Sequence, residues 1–161
     1  MSSVTEGGCA CGACRYELHG APMIVHACHC TDCRRSSGAP FAVNVWIEAE
    51  NVVTVSGEPQ TVMLKGGESG QPCEVWFCGN CGTALWSRYH VSPGDCRWVR
   101  SGTLDEPASV TPDVHIWTRS KMPWVVLPDD VPAFEQFYDV KAVWPAASLQ
   151  RLRANIEAHS G

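Results

Sequence analysis

No run of 18 or more apolar residues occurs in the 161-residue chain, so nothing in it is long enough to cross a bilayer as a helix. The first eight residues have no basic flank followed by an apolar stretch, so no secretory signal is read, and the cytoplasm is the expected compartment. Basic residues are scarce: 12 Lys and Arg stand against 17 Asp and Glu, for a net charge of −5. A domain that holds nucleic acid usually presents a basic face, so that class of partner is not expected. Low-complexity tracts are absent, and the only internal repeat is a pair of cysteine triplets. A hydrophobic share of 45% with 18% charged residues is ordinary for a folded globular protein. Residues 1–161 are therefore read as a single domain, long enough for one core.

What the chain does have is cysteine, ten in all. Without an export signal these thiols belong to a reducing compartment, where metal ligation or catalysis explains them better than disulfides. Three fall within six residues, in Cys28-His29-Cys30-Thr31-Asp32-Cys33. Cys30 and Cys33 have the C-x-x-C spacing of a metal knuckle, and in an extended chain Cys28 and Cys30 leave the same face. Such a group offers one ion three thiolates at about 2.3 Å. A fourth tetrahedral position is left for a distant side chain, as in a structural zinc knuckle, or for water or a substrate sulfur. Cys9, Cys11 and Cys14 repeat the same spacing, and Cys78-Gly79-Asn80-Cys81-Gly82 is the strongest knuckle in the chain. Cys73 and Cys96 stand alone. The eight clustered thiols fit two closed four-sulfur sites, or one closed site and one open site. Thiolate donors favour zinc over magnesium or calcium, with an iron–sulfur cluster as the alternative.

The rest of the pattern is strand-rich. Apolar and β-branched runs at 15–19, 23–27, 41–47, 52–55, 61–65, 74–77, 83–86, 96–100 and 115–117 are separated by Gly- and Pro-containing turns. Residues 34–40, with Arg34, Arg35 and two serines, read as a turn, and 66–72 as a loop. Only 145–158 has helical spacing, with Leu149, Leu152 and Ile156 on one face. These features predict a mostly β domain held by metal, with one short C-terminal helix.

The cysteine blocks at 9–11, 28–39 and 77–82, in that order, resemble the glutathione-dependent formaldehyde-activating enzyme family, a domain shared with centromere protein V. The segments at 102–107 and 115–124 support the likeness, which covers roughly residues 5–125. The resemblance implies a β-tent of antiparallel sheets with two zinc ions per chain. Cys9, Cys11, Cys78 and Cys81 would hold a structural ion, and Cys28, Cys30 and Cys33 the ion at the active site, while Cys14 would be a small buried residue. It also implies a carbon–sulfur lyase that joins glutathione to formaldehyde, giving S-hydroxymethylglutathione, or runs the reverse.

Three thiolates leave a bound dication with a net charge of about −1, a poor setting for making hydroxide but a good one for holding a thiol as thiolate. Arg34 and Arg35 are placed to pair with glutathione carboxylates, the plain alternative being a solvated loop. His29 should point away from the metal, and Asp32 suits a turn hydrogen bond. His115 belongs to a family-like segment that lines the pocket and is a candidate catalytic residue, with the group that supplies the proton left open, while Trp117 and Trp124 are better explained by the core. Two other readings stay open: a zinc enzyme acting on another small electrophile or thiol adduct, and a non-enzymatic zinc-stabilised interaction module. A small-molecule thiol or aldehyde is the expected partner, with no membrane and no nucleic acid. Oligomeric state is left open, a homodimer included.

Overall fold

The structure is a computed structural model that describes residues 4–160. Two sheets make up its body. The smaller is a three-stranded antiparallel sheet in the order β1 (Val4–Gly8), β2 (Arg15–His19), β5 (Val52–Ser56). The larger has seven strands: β10 (Val114–Ile116), β3 (Ile24–Cys28), β4 (Ala42–Glu48), β9 (Cys96–Arg100), β8 (Ala84–Tyr89), β7 (Cys73–Phe77) and β6 (Gln60–Leu64), in that order. Its neighbours are antiparallel except β10 and β3, which run parallel and set Ile116 opposite Cys28. The long connection from β9 through residues 101–113 provides the crossover that a parallel pair requires.

Period-2 alternation sorts the larger sheet into two faces. From β4, Val45 and Ile47 join Val25, Leu85 and Val99 against Tyr16 and Leu18 of the smaller sheet, forming the core between the sheets. Tyr16 meets Trp86 edge-on there, with ring centroids 5.4 Å apart. Ala42 and Trp46 point the other way, toward Cys28, Trp98 and Ile116 and the C-terminal Trp144 and Leu152. The sheet therefore has a tent-side face and a second face covered by the chain beyond β10. Each Val, Leu or Ile fully buried on either face contributes about 1.5–3 kcal/mol.

That covering is tied down polar group by polar group. Residues 132–136 run beside β10, with His115 N–H donating to Pro132 O at 2.8 Å and Phe134 N–H to His115 O at 2.9 Å. Trp144 Nε1 donates to the Tyr138 hydroxyl at 2.8 Å, and that hydroxyl shares a 2.6 Å hydrogen bond with His26 Nε2 on β3. A short helix, α2 (Val140–Val143), precedes α3 (Ala146–Ala158), which buries Leu152 and half-buries Leu149 and Ile156, as its spacing predicted. Arg151 of α3 makes two bonds to Glu48 of β4, at 2.8 and 2.6 Å, and a third to Ala21 O at 2.8 Å.

Three elements differ from the sequence reading, one being α2, which falls in a stretch between Pro132 and Pro145 read as irregular. Residues 34–40 do not form a simple turn: α1 (Thr31–Ser37) runs through most of them and ends on Gly38 in the left-handed region, φ 66°. Its cap is Cys30, whose sulfur accepts the Cys33 N–H at 3.3 Å, a role more familiar for Ser, Thr, Asp or Asn. β1 was also unmarked, because Gly7 and Gly8 lack strand character. Gly7 is there for close approach, since a Cβ on it would sit 2.5 Å from the Tyr16 ring. Among the described residues, no helix is long and apolar enough to cross a membrane.

Burial pushes the Glu48 carboxyl up, but the bonds from Arg151 outweigh it and leave the group below its ordinary value. The pair's stabilisation is therefore complete above the ordinary glutamate pKa of about 4.3 and is lost as pH falls through the lowered value. Arg151→Met should cost about 2 kcal/mol at neutral pH, less than for a fully buried pair because the arginine is part-exposed. It should also flatten this part of the acid-side loss, as read by urea unfolding at neutral pH and well below the ordinary glutamate pKa of about 4.3. A loss that is equal at both pH values would contradict this role.

Candidate metal centres and the chamber beside them

The first centre joins the two sheets. Cys9 and Cys11 lie in the β1–β2 connection, Cys78 and Cys81 in the β7–β8 turn, and their four sulfurs all fall within 4.8 Å of one another. Cys9 and Cys11 sulfurs are 3.5 Å apart and Cys11 and Cys78 sulfurs 3.8 Å. A tetrahedron of sulfurs at 2.3 Å from one ion has edges of about 3.8 Å, so the spacing fits a thiolate-bound metal such as zinc. The turns present N–H groups to the sulfurs: Cys14 N–H to Cys9 Sγ at 3.2 Å and Asn80 Nδ2 to Cys11 Sγ at 3.2 Å. The Thr83 hydroxyl and N–H, together with the Cys11 backbone, bring the Cys81 thiol down to about 5. Cys14 is buried outside this group.

The second centre lies on the other face of the larger sheet. β3 delivers Cys28 at its last residue, Cys30 caps α1 and Cys33 sits in its first turn, bringing three buried sulfurs within 4.8 Å. Cys28 and Cys30 sulfurs are 3.3 Å apart. Among the described residues no fourth Cys, His, Asp or Glu joins them. Hydrogen bonds from Cys28 and Cys30 hold the Cys33 thiol well below its ordinary value, aided by Arg100 and Asn44, while Cys28 is pushed well above. The three donors suit a metal ion that accepts thiolates and keeps one position for another ligand.

Residues that the cysteine spacing did not point to surround this centre. Arg100, at the end of β9, is buried, lies 3.9 Å from Cys33 Sγ, and bonds Asn44 Oδ1 and the Ser36 hydroxyl. Asn44 Nδ2 in turn donates to Cys33 Sγ at 3.6 Å. The signal for Arg100 was present in the sequence: it shares a strand face with Cys96 and Trp98, and a charge on an inward-facing position needs a buried partner. The Tyr89 hydroxyl lies 3.9 Å from the same sulfur, and burial holds that phenol well above its usual pKa, hence protonated.

His29 and His115 come together. Their rings stack at 5.3 Å, His29 Nε2 and His115 Nδ1 share a 3.0 Å hydrogen bond, and both are buried. Burial, then the neighbouring His115, brings His29 down to about 4, and burial lowers His115 too. Arg34 and Arg35 lie on α1, Arg34 half-buried with Nη1 3.4 Å from Met122 Sδ, and Arg35 outward-facing. A cavity of about 400 Å³ opens on Cys28, walled by Trp46, Tyr89, Trp98, Ile116, Phe137 and Leu152 among others. Neither His115, Arg34 nor Arg35 lines it. A second hollow, of about 470 Å³, is bounded by Ser36, Thr83 and Arg100 and includes no cysteine.

The fold and the two sulfur clusters define a β domain built around two candidate thiolate metal centres, one at the junction of the sheets and one beside a cavity. The profile described as glutathione-dependent formaldehyde-activating enzyme matches residues 4–120, and the chain belongs to that family. A Halomonas elongata protein with the provisional name glutathione-dependent formaldehyde-activating enzyme is 30% identical over 130 residues, 74% of this chain and 78% of that protein. A crystal structure of a Rhodobacter sphaeroides protein is 20% identical with a TM-score of 0.47, covering 80% of this chain and 99% of that one.

The two centres should respond differently to loss of a sulfur. Cys78→Ser should strip one metal and unfold the protein, because ion binding there and docking of the sheets are one event. Cys30→Ser should strip the other metal and leave the fold standing. Metal content and circular dichroism on both variants check this, and equal collapse of the two would show that the division of roles is wrong.

Proposed function

We propose that Cys28, Cys30 and Cys33 hold zinc with one position left for an incoming sulfur, and that the protein makes or breaks the carbon–sulfur bond of a thiol–aldehyde adduct. Glutathione with formaldehyde is the pair that the family description names. The observation that carries this reading is a buried set of three thiols with no fourth donor among the described residues, open on one side to a cavity through Cys28. A structural site would close its own coordination, as the four-thiol group does.

Zinc bound at these thiols would lower the pKa of an incoming thiol and hold it as thiolate. The rest falls to the chain. Arg100 sets a positive charge against Cys33 and offsets the excess negative charge of three thiolates. The Tyr89 hydroxyl is in the cavity near Cys33 and is placed to donate a hydrogen bond to the carbonyl oxygen. As the carbon–sulfur bond forms, the carbonyl π bond breaks and the proton from the thiol ends on that oxygen. His115, a catalytic candidate from the resemblance, is given a positioning role: its bond to His29 fixes the residue between Cys28 and Cys30. Arg34 and Arg35 stand outside the cavity, at most able to meet charged groups beyond its mouth. Ten free cysteines support a reducing compartment, the cytoplasm.

A cobalt-substituted protein titrated with glutathione should gain a new thiolate-to-metal absorption, and Tyr89→Phe should keep that band while slowing turnover about 100-fold. A spectrum unchanged by any thiol would remove substrate sulfur from the mechanism.

A further inference from the structure

The cavity beside Cys28 does not match the chemistry of glutathione. At neutral pH that tripeptide carries two carboxylates and an ammonium group. Among the described residues, none that lines the cavity is Lys, Arg, Asp or Glu. Its deeper polar groups are already engaged: His26 with Tyr138, and Asn44 with Arg100 and Cys33. A carboxylate placed here would lose water and gain no cation.

Part of the apolar wall of the cavity comes from outside the family match. Phe137, Val140 and Leu152 all lie beyond residue 120, where the matching profile ends. Trp46, Trp98 and Trp117, all inside the match, line it too. Trp117 has φ 58° and ψ 37°, a left-handed conformation rarely held by a large side chain without glycine's freedom. It is fixed there by its N–H to Gln136 O and by the Arg119 guanidinium 5.0 Å from its ring. Strain of this kind at a cavity wall marks a side chain held for its position.

We infer that the cavity takes an aromatic or branched aliphatic group, so that the adduct handled at this centre is one between a thiol and an aldehyde of which at least one carries such a group. This rests on the thiol–aldehyde reading above and names its substrate class. The step is unchanged and balanced: the carbon–sulfur bond forms, the carbonyl π bond opens, and the thiol proton moves to oxygen, with no oxidant or reductant. The group lies in the cavity whether it comes from the aldehyde or from the thiol.

The test uses zinc-loaded full-length protein and two arms, glutathione with phenylacetaldehyde and phenylmethanethiol with formaldehyde, each compared with glutathione and formaldehyde. Adduct exchange is followed by NMR. Quenching of tryptophan fluorescence by each component reports occupancy independently of turnover, because three of the seven tryptophans line the cavity. The arm that carries the apolar group correctly should exceed the reference pair in kcat/KM by at least about tenfold, with roughly fourfold per methylene buried across a homologous series. Val140→Asp should weaken quenching by the apolar component at least about tenfold, with unchanged metal content and circular dichroism. Phe137→Ala, at an exposed position, should weaken it less and keeps the test open if the first variant fails to fold. Equal or better kcat/KM for glutathione with formaldehyde, together with no quenching by the apolar components, overturns the inference and leaves the thiol–aldehyde function standing. Quenching by the apolar components with no turnover of any pair overturns the function and supports the apolar character of the cavity.

Discussion

Three sulfurs buried within a few ångströms of one another cannot all be ionised without a compensating cation. Around Cys28, Cys30 and Cys33 that demand shapes the surroundings. The thiols share protons unevenly, with Cys33 held low and Cys28 pushed up. Arg100 reaches them from β9, Asn44 from β4, and the first turn of α1 turns an N–H toward Cys30. A dication would supply the remaining compensation, and three donors from the chain would leave it short of a fourth ligand.

The sheet arrangement separates this centre from the stapling one. Odd and even positions of the same strands face opposite ways, so Val45 and Ile47 serve the core between sheets while Asn44 and Trp46 serve the face with the three-thiol group. The four-thiol group brings the β1–β2 connection against the β7–β8 turn, at the junction of the two sheets. A covering of residues 132–158 then encloses the second face, giving Cys28 an apolar chamber in place of open solvent.

The cysteine clusters were legible because their geometry is written in short spacings: two residues apart on an extended chain, three apart across a tight turn. Most strands were legible for the same reason, by alternation over five or six residues. The helix over 31–37 was not, since its cap is a cysteine and two of its residues were read as turn cations. Arg100 was legible as an inward-facing charge but not its partner, and Tyr89 was hidden because its meaning depends on which strand lies beside it. The chamber wall was hidden more deeply: residues 128–145, interrupted by three prolines, show no period, and Phe137 and Val140 acquire a role only by docking across β10. The segments that match the family hold both thiol clusters, and the segment beyond them adds Phe137, Val140 and Leu152 to the wall of the space beside Cys28.

The account turns on one centre being left unsaturated by its own chain. X-ray absorption at the zinc edge of the fully loaded protein counts sulfurs directly. Four at one ion and three at the other predict a mean of about 3.5 sulfurs with a lighter atom completing the shell, rising to about 4 on adding a thiol that fits the chamber. A mean of 4 in the resting protein, unchanged by any thiol, would contradict it.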